Sequence, residues 1–334
     1  MSEQQRSPPP SLDKSSPAKR AKIDQEPATE TTEMMSSNTP APAAEEAPKE
    51  RVIDENTDMS TLTDQEIMKL MEQMDQGTQD VSNKPLISTP VPLAVIREEY
   101  LKGSQQVVKK LDYLQEKGWD QVWRARGDGD CLFRAFTLAY LLRILYAPDP
   151  AVEANLAFDA VQRALPAMEA CGFQRDIYEE FLDPLITILR AFSEGLESTA
   201  NEYSIIQTLQ SPELSNSIVV SLRLITSAYI RTHADLFSPF LFSPVTFEPL
   251  SAEEFCKQEV EPCGKEADHA QIMALSQALK QGIKVAYLDR SEVGDGSVIN
   301  WVEFGNDTSE ESRPLTLLYR PGHYDVVTKD HPPK

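Results

Sequence analysis

Ten consecutive residues, Arg126-Gly127-Asp128-Gly129-Asp130-Cys131-Leu132-Phe133-Arg134-Ala135, hold the groups best suited to covalent chemistry in this chain. Cys131 stands where a glycine-bearing turn meets a long apolar run. An unperturbed thiol, with a pKa near ~8.5, is only about 3% thiolate at pH 7. The first turn of a helix offers free N–H groups and the positive end of its dipole, and both favour a negative sulfur. Full ionisation would raise the thiolate population about thirtyfold, roughly 2 kcal/mol in barrier terms. The flanking glycines let the backbone turn sharply and let a substrate strand come close.

A cysteine nucleophile needs a base, usually a histidine held by a third group. The chain has four histidines. His331 lies in a polar tail, His233 near the end of an expected long helix, and His269 follows Asp268 at an expected helix start, where capping accounts for it. His323 is different: it follows Arg320-Pro321-Gly322 and opens His323-Tyr324-Asp325-Val326-Val327. In an extended strand, positions i and i+2 share a face, so Asp325 is expected beside the ring while Tyr324 faces the other side. A lone cysteine before an apolar helix is more often a small core residue. The glycine turn together with a distant Gly-His-x-Asp strand favours catalysis, because the two features are structurally unrelated and chemically complementary.

The surrounding elements must bring these two segments together. Residues 1–60 are rich in Pro, Ser, Thr, Ala and Glu, contain no aromatic residue, and are expected to be a disordered tail. Within the tail, Pro17-Ala18-Lys19-Arg20-Ala21-Lys22-Ile23-Asp24 is either a nuclear-import signal or a chance basic cluster. Residues 61–84 read as a helical arm. Thr63 and Glu66 form a capping-box pattern, and Ile67, Leu70, Met71 and Met74 lie on one stripe before Gly77. That stripe either docks a partner or packs on the protein itself.

From 85 to 330 the chain reads as the catalytic domain. Helices are expected over 104–117, 132–146, 151–170, 174–193, 202–210 and 213–234, and between Asp268 and Gly282, with a capping box at Ser251 and Glu254. A short strand is expected over 119–125. From residue 283 the period changes, giving strands at 283–288, 297–304, 315–319 and 324–328. Helices first and a late sheet predict an α+β domain with the nucleophile helix against the sheet.

A formal charge of −21 disfavours nucleic acid or an anionic membrane as the main partner. Four cysteines are too sparse to staple a domain of this size and suit a reducing compartment. The N-terminus has no apolar segment behind its first charges, and apolar stretches are too short to span a bilayer. A cytoplasmic protein is expected, with the basic cluster adding the nucleus. Asp128-Gly129-Asp130 lacks the remaining oxygen ligands of a calcium loop, and Cys256, Cys263 and His269 fit no four-ligand zinc spacing. Arg126-Gly127-Asp128 carries no meaning as an adhesion tripeptide inside a cell. No metal or cofactor is expected. A secreted papain-like protease is disfavoured by the missing leader and disulfide framework.

The nucleophile segment resembles that of ovarian-tumour-type (OTU) cysteine proteases, and the chain is most similar to the otubains among them. Val219-Val220-Ser221-Leu222-Arg223-Leu224-Ile225-Thr226-Ser227 carries the resemblance, as does Glu254-Phe255-Cys256-Lys257-Gln258-Glu259-Val260-Glu261-Pro262. Asp268-His269 and Leu318-Tyr319-Arg320-Pro321-Gly322-His323-Tyr324-Asp325 extend it, from about residue 63 to 328. The resemblance implies the OTU fold, a helical subdomain on a small, mostly antiparallel sheet. It also implies a thiol deubiquitinase acting on isopeptide bonds in polyubiquitin, chiefly in linkages that direct proteins to the proteasome. It makes Cys131 the nucleophile, His323 the base and then acid, and Asp325 the orienting carboxylate. Asp128 takes the family's active-site aspartate position, its backbone N–H joining that of Cys131 around the oxyanion. The partners implied are ubiquitin, polyubiquitin and ubiquitin-charged conjugating enzymes, the last through the arm. A non-catalytic ubiquitin-binding regulator of those enzymes is the alternative.

One residue departs from the pattern, which has asparagine where this chain has Asp130. A carboxylate facing the sulfur would oppose thiolate formation, with Arg124 or Arg126 the nearest compensating charges. On that placement, Asp130→Asn keeps activity similar or higher and moves the acidic limb of the pH profile downward.

Overall fold

Two strands far apart in sequence lie side by side and fix where the candidate chemistry sits. The computed structural model describes residues 81–196, 198–291, 297–305 and 312–329. The expected tail, the basic cluster, the 63–77 arm helix and His331 lie outside the described residues.

Strand β1 (Val91–Pro92) runs directly into helix α1 (Leu93–Tyr100), which the sequence reading missed. Helix α2 (Gln105–Glu116) is capped by Ser104, whose hydroxyl accepts the Val107 N–H at 3.4 Å. It buries Val107, Val108, Leu111 and Leu114, as its spacing requires. Strand β2 (Trp119–Trp123) follows, then helix α3 (Cys131–Leu145). Every residue of α3 except Arg143 is buried, so it forms the central helix rather than a surface one. Each of its buried Leu and Phe side chains contributes roughly 1.5–3 kcal/mol in removed apolar surface.

Helices α4 (Pro150–Ala170), α5 (Arg175–Ser193), α6 (Glu202–Gln210) and α7 (Pro212–Thr232) build the helical half of the main core with α3. Asp149 caps α4 and Asn201 caps α6, while Pro150 and Pro212 occupy first turns, where a missing N–H costs nothing. After α7 come single helical turns at Ala234–Phe237 and Ala252–Phe255. The second is closed by the expected Ser251–Glu254 capping box and continues as a π-helical turn, Cys256–Val260. Helix α8 (His269–Ala278) starts on a second capping box, between Asp268 and Gln271.

Strands β3 (Ile283–Tyr287), β4 (Asn300–Phe304), β5 (Leu315–Arg320) and β6 (His323–Lys329) complete a six-stranded sheet in the order β1-β2-β6-β5-β3-β4. Only the β3–β5 pair is parallel. The fold is therefore α+β with a mostly antiparallel sheet. Alternation sorts the side chains: Val285, Leu317, Tyr324 and Val326 face α3, whereas Ala286, Leu318 and Val327 face α1 and α2. β2 pairs antiparallel with β6, Val122 opposite Val327 and Trp123 opposite Val326. The C-terminal end of β2 thus lies beside the N-terminal half of β6, and the turn leaving β2 emerges next to His323. Among the described residues, no helix is long and apolar enough to cross a membrane, and no cluster of three or more His, Cys, Asp or Glu could hold a metal ion.

Candidate active site

The turn after β2 is held by its own side chains. Asp128 Oδ1 accepts the Asp130 N–H at 3.2 Å and the Arg134 guanidinium at 2.5 Å. Gly129 has φ +84°, and a Cβ there would lie 2.1 Å from the Gly264 carbonyl oxygen, so only glycine fits. Asp130 is the N-cap of α3 yet makes no side-chain cap hydrogen bond. Its carboxylate instead accepts from Arg223 Nε at 3.0 Å and Nη2 at 2.5 Å, and from the Gly264 N–H at 3.0 Å. The first-turn amides of α3 are thereby left without a side-chain cap, directly at the buried Cys131.

The β5–β6 hairpin supplies the other half. Arg320 pairs with His323 across the two-residue turn Pro321-Gly322, with Gly322 at φ +72°. His323 Nε2 donates to Asp325 Oδ1 at 2.9 Å, and the ring lies close enough to Cys131 for the sulfur to act on its charge. A Cβ on Gly127 would lie 3.5 Å from His323 Nδ1, so this second ring nitrogen faces the nucleophile turn. Asp325 is fully buried, and it also accepts the Ala125 N–H at 3.0 Å and the Arg320 guanidinium at 2.6 Å. Arg320 in turn lies 3.6 Å from Glu99 on α1.

These contacts set the charges. Burial alone would lower the His323 pKa, but the hydrogen bond and charge of Asp325, joined by the Cys131 sulfur, push it up to about 9. Burial likewise works to raise the Asp325 pKa, and it is outweighed by His323, Arg320 and the Ala125 N–H, which hold it below the usual carboxylate range. At neutral pH the site therefore pairs an imidazolium with a carboxylate behind it and a sulfur in front. That arrangement stabilises a thiolate and keeps a proton ready for a leaving group.

The other sequence candidates fall elsewhere. His269 pairs with Asp268 at 2.7 Å and with the Tyr287 hydroxyl at 3.2 Å, and His233 ends α7. Cys256 is buried, and its pKa is pushed up by burial to about 12, as suits a packing thiol. Cys263 is exposed in the loop that follows the π-helical turn. A cavity of ≈ 530 Å³ opens among Trp119, Trp301, Arg143 and Arg313 and does not include Cys131, His323 or Asp325.

Two expectations about charge need correction. The Asp130 carboxylate is turned to Arg223 and Gly264, and its compensating charges are Arg223 and, at 3.7 Å, Arg134. Arg124 instead pairs with Glu99, and Arg126 donates to the Lys84 carbonyl. Sequence reasoning gave no role to Arg223 or Arg320. The available signal was an arginine isolated in an apolar helical stretch, Val219 to Thr226, where a charge survives burial only with partners.

Residues 79–329 match the protein family described as Peptidase C65 Otubain. The chain is 34% identical over 257 residues to OVARIAN TUMOR DOMAIN-containing deubiquitinating enzyme 1 of Arabidopsis thaliana, covering 75% of this chain and 82% of that protein. It is 33% identical over 263 residues to ubiquitin thioesterase OTUB1 of Homo sapiens, covering 78% of this chain and 89% of that protein. Among solved structures, it is similar to a chain of a ceOTUB1, ubiquitin aldehyde and UBC13~Ub complex. There the TM-score is 0.67 and the identity 26%, over 78% of this chain and 100% of that one. A chain of an h/ceOTUB1, ubiquitin aldehyde and UBCH5B~Ub complex gives 0.66 and 26%, over 79% and 98%.

Proposed function

The chain belongs to the otubain family of peptidases, and from that premise we propose that it hydrolyses isopeptide bonds in polyubiquitin with Cys131, His323 and Asp325. The observation that carries this reading is the hydrogen-bonded Asp325–His323 pair beside Cys131, brought together from two segments that share no local structure. The Cys131 thiolate attacks the carbonyl carbon at the ubiquitin C-terminus. The backbone N–H groups of Asp128 and Cys131 hold the oxyanion, where losing one donor costs about 2.7–4 kcal/mol. His323 then passes its proton to the departing lysine amine, leaving a thioester on Cys131. Water attacks the thioester with His323 as base, releasing the ubiquitin carboxylate and restoring the thiol. Asp325 orients the ring throughout and stabilises its positive charge whenever it carries the proton.

A protein substrate needs an apolar contact surface. Phe240, Phe242, Val245 and Phe247 are all exposed around the bridge between Phe242 and Pro249, a concentration of apolar side chains that suits a partner protein. The preferred linkages are those that direct proteins to the proteasome. Cleavage of the full set of diubiquitin linkages, with Cys131→Ala as control, tests the reading. Release of ubiquitin by the wild type alone supports it, and no cleavage of any linkage overturns it.

The similar solved complexes, which hold ubiquitin aldehyde with UBC13~Ub or UBCH5B~Ub, favour a second role. In that role the protein binds a ubiquitin-charged conjugating enzyme and restrains chain synthesis without cleavage, with residues 61–84 as the docking arm. Inhibition that persists in Cys131→Ala supports this role, and inhibition lost with the thiol contradicts it.

A further inference from the structure

Arg223 is fully buried, and its guanidinium reaches four separate pieces of backbone and side chain. Nη1 donates to the Val260 carbonyl at 2.9 Å, and Nη2 to the carbonyls of Gly129 at 3.1 Å and Lys265 at 2.7 Å. Nε and Nη2 both meet Asp130 Oδ1, and the guanidinium lies 4.5 Å over the Phe133 ring. The same Asp130 oxygen accepts the Gly264 N–H. One cation and one carboxylate oxygen thus join the nucleophile turn to the 260–265 loop. The loop then passes to Glu266, whose carboxylate would meet a Cβ on Gly322 at 3.7 Å, next to His323.

We propose that the Arg223–Asp130 pair positions the oxyanion-binding turn, and that what position 130 must supply is an acceptor oxygen rather than a negative charge. The proposal rests on the hydrolase reading above. The Gly129 carbonyl, fixed on Arg223, and the Asp130 N–H, fixed on Asp128, belong to one peptide group, and the next group, which carries the Cys131 N–H, is held by the Asp130 carbonyl accepting the Arg134 N–H at 3.1 Å. The Cys131 N–H is thereby aimed while the Asp130 side chain is kept from capping it. This explains why aspartate works where the otubain pattern has asparagine: either residue presents the oxygen that Arg223 and Gly264 require. Arg134 and Arg223 balance Asp128 and Asp130, so the charges of these four side chains sum to zero.

The test compares full-length variants that share one charge state. Asp130→Ala and Asp130→Asn both remove the carboxylate charge, and only asparagine keeps the acceptor. With a fluorogenic ubiquitin C-terminal amide, Asp130→Ala is expected to lower kcat about 100-fold with KM within about twofold. Asp130→Asn is expected to recover kcat to within about fivefold of wild type. Equal kcat in the two variants, or a loss expressed in KM, overturns the proposal. Should Asp130→Ala fail to fold, Arg223→Lys decides. It keeps the cation but cannot span four acceptors, and it is expected to lower kcat more than about tenfold at constant KM. Turnover within about threefold of wild type would overturn the proposal. Wild type inert toward the ubiquitin substrate would sink the hydrolase reading instead. In that event, alkylation of Cys131 by iodoacetamide at pH 6 still judges the pair. Slower alkylation in Arg223→Lys, whose charge is unchanged, supports positioning, and an unchanged rate overturns it.

Discussion

Replacing Asp325 by asparagine separates the charge behind His323 from the shape of the site. Asparagine fills the same volume, but no negative charge remains to hold the proton on the ring. Burial, the largest influence on His323, then acts unopposed except through Cys131 and takes the pKa from about 9 to below its ordinary value of 6.5. At about 1.4 kcal/mol per pH unit this is at least roughly 3 kcal/mol in favour of the neutral ring, and at pH 7 the proton-bearing share falls from nearly all to about a quarter or less. The assay is kcat/KM for a fluorogenic ubiquitin substrate between pH 5 and 10. The alkaline limb of wild type is expected near 9, where the imidazolium deprotonates, and that of Asp325→Asn below 7. Stability follows the same sign. A pKa raised on folding stabilises fully below 6.5, and that contribution is lost as pH rises through about 9. Chemical denaturation at pH 6 and pH 10 is therefore expected to show less alkaline destabilisation in the variant. An alkaline limb that stays near 9 in Asp325→Asn would refute the assignment of the His323 proton to this carboxylate.

Three further outcomes are expected. Gly129→Ala forces a Cβ into the Gly264 carbonyl at a positive φ, so it is expected to cost at least about 2 kcal/mol of stability by thermal unfolding and about 100-fold in turnover; wild-type values in both would contradict the turn geometry. Phe247→Ser, at a side chain that is 79% exposed, is expected to leave unfolding within about 0.5 kcal/mol and to raise KM for ubiquitin substrates; an unchanged KM would remove the 240–247 segment from the substrate surface. Deleting residues 1–80 is expected to weaken inhibition of a ubiquitin-charged conjugating enzyme while diubiquitin cleavage persists, and unchanged inhibition would remove the arm from docking.

The nucleophile helix, the Gly-His-x-Asp strand and the Ser251–Glu254 capping box were legible in the sequence because each rests on contacts within a few residues. The Ser251–Glu254 pair and the i, i+2 spacing of His323 and Asp325 are local rules, and the structure shows both. The orientation of Asp130 was not legible, since its partner Arg223 lies 93 residues away and nothing near Asp130 announces it. Helix α1 was missed for a related reason. Pro92 enters it with no side-chain cap, and its charged face is satisfied from afar by Asp112 and by Arg124 and Arg320 across the sheet. The sequence reading assigned no role to the phenylalanines of the 240–247 segment, and only the fold shows that they face solvent.

The central claim is that Cys131 is the activated thiol that receives the ubiquitin C-terminus. It is tested most directly by incubating the full chain with ubiquitin carrying a C-terminal electrophile and reading intact mass and peptide maps. A single ubiquitin adduct on Cys131, absent in Cys131→Ala and slowed in His323→Ala, is the expected result. No adduct, or an adduct on the exposed Cys263, would contradict it.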